Sequence, residues 1–398
     1  MSSPQSLPSG QPSPPAGGPA GGGPRRRLRI PSLPRPLVAG LAVAALVGTV
    51  ITAGLRADDA PGDRTASGVQ SPSRSAAPPW TAEVAARLKE LPALRYSGAF
   101  TSGGRPAWAT LSVTRSGSAI GTITRDGRRA LLVSVGGATY LKGPAAFWTN
   151  SAGPTALPED FAGRWAKAPV TTLGFDIRSF LAPSSIAELV RRFPGGGSGE
   201  VDGRPVYRIQ TALGTYSVTV AQPHELLRVE GVAGARFDVT AVPDAAPVLT
   251  ELRRRVAALG GARDPGVRFE HGGLKFVNCN ENVSGCTVRL EVSTRSPVVA
   301  NDGSSATAAA PRVRMTATIS ADGRALGSCT DVQPLNASRK ATLSCTVTSR
   351  GWREWMRRAR DVPGRHEYTA QARVVAEALS ARQVAELLAA VDQERRAG

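Results

Sequence analysis

The sequence predicts a mainly β protein of the α+β type, preceded by one transmembrane helix. Apolar residues recur at every second position in many short segments between residues 111 and 376, which indicates antiparallel strands with one buried face. An uncharged apolar run covers residues 37–55, and every cysteine follows residue 278. We therefore expect five regions, in this order: a disordered basic cytoplasmic tail at 1–35, a transmembrane anchor at 36–56, a flexible linker at 57–79, a sheet domain with helices at 80–260, and a disulfide-linked β-sandwich with a C-terminal helix at 265–398.

The anchor is predicted from the run LVAGLAVAALVGTVITAGL at 37–55. At ~1.5 Å of rise per residue this run spans the ~30 Å hydrocarbon core of a bilayer. The arginines before it keep that end in the cytoplasm, so the later domains lie outside; they are Arg25, Arg26, Arg27, Arg29 and Arg35. A cleaved secretory signal is the alternative, although its apolar region usually covers only ~7–15 residues. We expect a single-pass cell-membrane protein with extracytoplasmic C-terminal domains.

Four cysteines in an exported region indicate two disulfides. Cys279 and Cys286 would close a small loop, and Cys329 and Cys345 would link neighbouring strands. Zinc is the competing interpretation, but the spacings are not CxxC and His271 is the only nearby histidine. We expect no metal site.

The formal net charge of +18 bears on the partners. A basic exported surface could meet anionic lipid headgroups or acidic polymers of the cell envelope. Nucleic acid is not expected as a partner, because an exported protein rarely meets it and no basic motif is interleaved with aromatic residues. A compositional bias with no partner explains the charge equally well.

The domain at 80–260 begins with a helix after Thr81 and contains a second helix from Pro183. Strands with period-two alternation lie between these helices and after the second one. A closing helix places Leu249, Leu252 and Val256 on one face. The pattern predicts one large curved antiparallel sheet with helices laid against its apolar face.

The inward positions of this sheet and its helices form a candidate ligand-binding lining. The same residues would also form an ordinary packed core, and the sequence does not distinguish a cavity from a filled interior. The candidates are Leu111, Val113, Val133, Val135, Ile186, Leu189, Phe193, Ile209, Val218, Val229 and Phe237.

The domain at 265–398 shows alternating strands at 286–293, 312–320, 341–348 and 366–376, which is typical of a small β-sandwich. A C-terminal helix starts at Ser380, with Gln383 three residues later as in a capping box. Its apolar stripe should dock on the sandwich; the stripe consists of Val384, Leu387, Leu388 and Val391.

No catalytic motif is present in the sequence. The three histidines are scattered, and there is no Gly-x-Ser-x-Gly elbow, GxxxxGK[ST] loop or GxGxxG unit. We expect a non-enzymatic protein without a cofactor.

Several short segments, in a fixed order, resemble a known family. They include YSG at 96–98, VGGATYL at 135–141, AGRW at 162–165, VDG at 201–203 and PHELLRV at 223–229. Over about 80–245 the chain resembles actinobacterial LppX/LprG-type lipoproteins, which are relatives of the LolA carriers. This resemblance implies a half-barrel whose concave apolar face, roofed by helices, holds acyl chains of lipids or lipoproteins. The sequence differs from the family in its membrane helix and its additional disulfide-bearing domain.

The leading functional hypothesis is a membrane-tethered extracytoplasmic protein that binds a hydrophobic ligand, either the acyl chains of a lipid or a lipoprotein. The alternative is an envelope sensor or scaffold that contacts a partner protein and carries no cargo. An exported hydrolase would need a nucleophile and a base that the sequence does not supply.

Overall fold

The computed structural model describes residues 78–149, 157–192, 196–294 and 311–397. The predicted tail at 1–35 and anchor at 36–56 lie outside these ranges, as does nearly all of the linker. Phe193, a candidate lining residue, also lies outside them. Within these ranges, no helix has both the length and the apolar character required to span a bilayer.

The described chain is rich in strands, as predicted. The strands are β1 (Ala93–Ser102), β2 (Arg105–Thr114), β3 (Ala119–Arg125), β4 (Arg128–Val135), β5 (Ala138–Lys142), β6 (Trp165–Lys167), β7 (Gly196–Val201), β8 (Arg204–Gln210), β9 (Gly214–Thr219), β10 (Leu226–Gly231), β11 (Arg236–Val242), β12 (Arg263–Asp264), β13 (Glu270–His271), β14 (Lys275–Val277), β15 (Cys286–Ser293), β16 (Arg312–Ala321), β17 (Arg324–Pro334), β18 (Lys340–Val347) and β19 (Thr369–Glu377). The helices are α1 (Pro79–Glu90), α2 (Ala145–Trp148), α3 (Ile177–Leu181), α4 (Pro183–Arg192), α5 (Ala246–Ala257), α6 (Arg350–Asp361) and α7 (Ala381–Ala397), with 3-10 turns at Pro158–Asp160, Val170–Thr172 and Val232–Gly234.

Fifteen of these strands form one large sheet. Their order is β17-β16-β19-β12-β6-β5-β4-β3-β2-β1-β11-β10-β9-β8-β7. Neighbours pair antiparallel except β12 and β6, which pair parallel through Arg263 and Ala166. The predicted antiparallel sheet is therefore confirmed for the residues before 243. The separation into domains at 80–260 and 265–398 stays a prediction, and the sheet runs continuously across that boundary through β12.

One face of the large sheet is roofed by α1, α3 and α4. Apolar side chains of α1, such as Val84 and Leu88, and of α4, such as Ile186 and Val190, join one buried cluster with the sheet. The sheet contributes every second residue of its strands to this cluster, for example Leu94 and Tyr96 on β1. The two predicted helices and their buried faces are confirmed here.

The opposite face of the sheet is also covered, which differs from the prediction that every helix lies on one face. Leu249, Leu252 and Val256 of α5 pack there with Val384 and Val391 of α7. The expectation that α7 docks on the sandwich is therefore wrong. The physical reason lies in β4, whose sequence is RRALLVSV. From Ala130 onward this strand places apolar side chains on both faces of the sheet, so both faces must be shielded from water.

The second half forms the expected β-sandwich. Strands β13, β14, β15 and β18 form a small sheet. Val288 and Leu290 of this sheet share a buried cluster with Val313 and Met315 from the extension of the large sheet. Trp352 of α6 is completely buried in the same cluster, so this helix closes one end of the sandwich core.

Both predicted disulfides are confirmed. Cys279 bonds to Cys286 at an S–S distance of 2.01 Å, and Cys329 bonds to Cys345 at 2.07 Å. The first closes the loop that enters β15. The second joins β17 of the large sheet to β18 of the small sheet, so it links the two layers of the sandwich covalently.

Candidate functional site

Most of the predicted lining residues lie together beneath the roof helices. We call this buried cluster the concave core. The predicted residues within it are Leu111, Val113, Ile186, Ile209, Val218, Val229 and Phe237, and Leu189 packs against its edge. Each of the seven is fully shielded from solvent. Their grouping on one face was predictable from alternation, while their role in ligand binding stays a prediction.

Several aromatic rings contact one another within the concave core. Phe175 lies at the centre of a set of edge-on contacts, with ring centroids 5.8 Å from Phe100, 5.3 Å from Phe180 and 5.9 Å from Phe237. Phe180 in turn contacts Tyr216 at 6.2 Å. Such edge-to-face contacts stabilise a packed interior beyond the area they bury. This part of the interior is therefore a packed aromatic core.

Two tyrosines hold the roof against the sheet. Tyr96 Oη donates a hydrogen bond to the carbonyl oxygen of Leu181 at 2.5 Å, and Tyr216 Oη donates to that of Phe180 at 3.2 Å. Burial raises the pKa of the Tyr96 phenol, and the neighbouring Tyr216 adds to this shift. Burial likewise raises the pKa of Tyr216. Both phenols therefore remain protonated donors over the physiological range.

Val133 and Val135 do not belong to the concave core. Both side chains lie in the cluster beneath α5 and α7, on the other face of the sheet. The strand β4 places Leu132 in the concave core and Val133 opposite it, because successive side chains alternate. The expectation that these two valines line the roofed face is therefore wrong.

A cavity of about 550 Å³ opens on this second face, and we call it the helix-side cavity. It lies where α5 and α7 meet the β2–β3 turn, the β4–β5 turn and the start of α4. Its apolar lining consists of Pro92, Val135, Ala245, Leu249, Ala390 and Ala397. Its polar lining includes Arg115, Ser116, Ser118, Arg178, Ser184 and Glu394. Of the predicted lining residues that the structure describes, only Val135 borders it.

Hydrogen bonds fix the walls of the helix-side cavity. The backbone N–H of Ser116 donates to Glu394 Oε1 at 3.3 Å, which joins α7 to the β2–β3 turn. Ser184 Oγ donates to the carbonyl oxygen of Arg115 at 2.7 Å, which joins the same turn to α4. Arg253 Nε donates to Asp392 Oδ1 at 2.8 Å and connects α5 with α7. The cavity is therefore bounded by elements that are bonded to one another.

Glycines allow the turns to approach the helices closely. Gly136 has a φ of +59°, and a Cβ atom built there would lie 2.6 Å from Leu387 Cδ2 on α7. Gly117 has a φ of +93°, and a Cβ there would lie 2.5 Å from Arg178 Cγ. Both contacts are closer than real Cβ atoms tolerate. The positive φ favours glycine at both positions, and at Gly117 the close approach of Arg178 Cβ and Cα also leaves no space for a side chain.

The polar side chains that line the helix-side cavity differ in the hydrogen bonds they make. The Arg115 guanidinium donates from Nη2 to the carbonyl oxygen of Glu90 at 2.7 Å and from Nε to that of Leu91 at 3.3 Å. Asp176 accepts from the backbone N–H of Ser179 and caps α3. The Arg178 guanidinium makes no hydrogen bond or ion pair with any described residue and is exposed. Among the described lining residues, Arg178 can thus offer an unpaired cationic donor to a ligand with a polar end.

The described residues show no group of His, Cys, Asp and Glu that could hold a metal ion. The histidines lie apart: His224 Nδ1 is 2.8 Å from the carbonyl oxygen of Thr219, and His366 Nε2 is 2.9 Å from that of Val362. Each is thus engaged with the backbone of a nearby residue. The absence of an activity stays an expectation.

Comparison with known proteins gives only weak likenesses. No family model matches the chain, and no curated protein matches it. A crystal structure of MucB shares 12% identity over 69% of this chain and 94% of its own, with a TM-score of 0.21. The complex of Pseudomonas aeruginosa MucA and MucB shares 11% identity over 78% of this chain and 95% of its own, also with a TM-score of 0.21. TM-scores this low do not establish a shared fold.

Proposed function

We propose that this chain is a non-enzymatic extracytoplasmic binding protein, tethered to the cell membrane by residues 36–56. Its ligand is hydrophobic, in the form of an acyl chain of a lipid or lipoprotein, and it occupies the helix-side cavity. One observation carries this proposal. A cavity of about 550 Å³ with both apolar and polar lining residues lies between bonded structural elements, and its volume is typical of small-molecule sites.

The apolar lining supplies the affinity. Val135, Leu249 and Ala390 would remove an acyl chain from water, at ~25 cal/mol per Å² of apolar area. The polar lining orients the ligand, because Arg178 has no other partner among the described residues and can pair with a carboxylate or ester oxygen.

A matched pair of α7 variants tests the site. Ala389 and Ala390 are adjacent and exposed, but only Ala390 lines the cavity. The compact unit from residue 72 onward, without the predicted anchor, is purified in the absence of detergent and titrated with a fluorescent fatty-acid probe. The Ala390→Trp variant should lose probe binding because the indole occupies the cavity, while Ala389→Trp should bind like the wild type. Equal binding by both variants would place the ligand elsewhere or show that none binds there.

A scaffold without cargo is the second candidate, and the packed aromatic interior favours it. Rings of Phe100, Phe175 and Phe237 occupy the roofed face on which the family resemblance places acyl chains. Under this alternative, the helix-side cavity holds only water. Absence of lipid in the purified protein, together with no probe binding by the wild type, would favour the scaffold over the ligand-binding protein.

A further inference from the structure

Five arginines lie near β12, the short strand that connects β6 to β19 in the large sheet. We call Arg164, Arg263, Arg312, Arg314 and Arg373 the arginine cluster. Arg263 on β12 lies directly opposite Glu377 on β19, and Glu377 lies opposite Arg312 on β16. Directly paired residues in a sheet point to the same face. This register therefore places the side chains of Arg263 and Arg312 on the same face of the sheet, in the strands on either side of Glu377.

Two carboxylates next to the arginine cluster, those of Glu377 and Asp160, already pair with arginines of the cluster. Glu377, which is nearly buried, accepts hydrogen bonds from Arg312 at 3.2 Å and from Nε of Arg314 at 2.9 Å. Asp160 forms an ion pair with Arg373 at 3.4 Å. Two carboxylates therefore face five guanidinium groups, and the cluster keeps an excess of positive charge.

Arg164 and Arg263 carry this excess. Neither makes a side-chain hydrogen bond or an ion pair with any residue in the described ranges, although Arg263 is half-buried on β12. Burial, reinforced by Arg164, Arg314 and Arg373 against the opposing effect of Asp160, lowers the pKa of Arg263 to about 10. A half-buried cation among like charges is unfavourable unless an anion joins it.

Open space lies beside the cluster. A cavity of about 690 Å³ is lined by Arg373 of the cluster and by the carboxylates of Asp160, Asp264 and Glu270, and its apolar wall includes Leu157, Phe161 and Phe269. Arg164 and Arg263 do not line this cavity, so the proposed anion contacts lie beside it. The site is distinct from the helix-side cavity, which shares none of these residues.

We propose that the arginine cluster binds the phosphate group of an anionic ligand, with Arg263 and Arg164 as its principal contacts. The guanidinium fork matches two phosphate oxygens at once, and it remains charged at physiological pH. A free phosphate ion and the phosphate ester of a lipid headgroup share this chemistry. The second source would fit the proposed position of the protein at a membrane surface.

The test measures binding of two soluble probes to the full chain in a non-ionic detergent. Inorganic phosphate and glycerol 3-phosphate are each titrated while the thermal unfolding midpoint is followed, with sodium chloride at matched ionic strength as the reference. Phosphate should raise the midpoint more than chloride does, because it binds the folded state only. A response to both probes identifies a general phosphate site, and a response to the ester alone identifies a headgroup site.

Two variants separate the site from general charge effects. Arg263→Gln should weaken phosphate binding about tenfold or more, as expected for loss of a charge-assisted contact. Without phosphate, the thermal unfolding midpoint of this variant should be no lower than that of the wild type, because the repulsion between like charges is relieved. Arg164→Gln, at an exposed position, should weaken binding in the same direction. Arg357→Gln makes the same charge change on the exposed side of α6 and should bind phosphate like the wild type. The proposal would be overturned if neither inorganic phosphate nor glycerol 3-phosphate raised the midpoint more than chloride does, or if binding of the responding probe were unchanged in Arg263→Gln and Arg164→Gln.

Discussion

The hydroxyl of Tyr96 lies 2.5 Å from the carbonyl oxygen of Leu181 and donates a hydrogen bond to it. Tyr96 is on β1, in the middle of the large sheet, and Leu181 is the last residue of α3. Carbonyl groups at the end of a helix have no partner within the helix. The side chain of a strand therefore satisfies the end of a roof helix and fixes the distance between the two layers.

Removing this hydroxyl should destabilise the roof. Tyr96→Phe leaves a buried carbonyl oxygen without its donor, which costs about 1–3 kcal/mol. Tyr207→Phe is the control, because its ring stacks on Trp80 at 4.3 Å and its hydroxyl has no hydrogen-bond partner among the described residues. Urea unfolding should show a lower free energy for Tyr96→Phe and little change for Tyr207→Phe. Equal free energies in the two variants would contradict a structural role for the bond.

Glu251 should make stability depend on acid pH. Hydrogen bonds from Arg254 and Arg255 lower its pKa from 4.5 to about 2. Because the folded state holds this carboxylate in its charged form, its contribution is complete above about pH 4.5 and is lost as the pH falls towards about 2. The midpoint of thermal unfolding in Glu251→Gln should fall less steeply across this window than in the wild type. Parallel curves would show that the carboxylate does not stabilise the fold.

The same carboxylate should affect the position of α5. Arg255, held by Glu251, donates from Nη1 to the carbonyl oxygens of Gly121 at 3.1 Å and Leu132 at 3.0 Å. This arginine therefore joins α5 to β3 and β4. We expect amide hydrogen exchange in α5 to become faster in Glu251→Gln, whereas exchange in the distant helix α6 should not change.

The disulfide between Cys329 and Cys345 should stabilise the sandwich. It closes a segment with a sequence separation of 16, and a loop of this size is worth about 3 kcal/mol in the chain-entropy treatment. Replacing both cysteines by serine should lower the free energy of unfolding by about that amount. A double variant as stable as the oxidised wild type would exclude this role.

A pair of neighbouring glycines should differ in their tolerance of alanine. Gly136 and Gly137 both have positive φ, at +59° and +76°, so each alanine costs about 1–2 kcal/mol. Only at Gly136 does the added Cβ collide with Leu387 of α7, since nothing lies within 4 Å of that position at Gly137. Urea unfolding should show a greater loss of unfolding free energy for Gly136→Ala than for Gly137→Ala. Equal losses would show that α7 adjusts freely.

Local pattern predicted most elements of this fold. Period-two alternation predicted β15 and β16 nearly to the residue, and the spacing of Ile186 and Leu189 predicted α4. The partner of α7 was not predictable in this way. Its stripe of Val384 and Val391 shows that one face is buried but does not identify the surface that covers it.

The candidate site was only partly predictable for a related reason. Leu111 and Phe237 were correctly predicted to lie on the roofed face, because apolar and polar residues alternate clearly in their strands. In β4, by contrast, consecutive residues are apolar, and its two valines lie on the other face of the sheet. That continuous apolar run was the available signal for a sheet covered on both sides. The helix-side cavity joins residues as distant in sequence as Pro92 and Glu394. Their proximity depends on tertiary packing that no local pattern records.

Native mass spectrometry of the purified protein tests the central claim most directly. The wild type and Ala389→Trp, purified without detergent, should each carry an additional mass that corresponds to an acyl-bearing ligand, and Ala390→Trp should lack it. A bare wild type, or the same bound mass on Ala390→Trp, would contradict a hydrophobic ligand in the helix-side cavity.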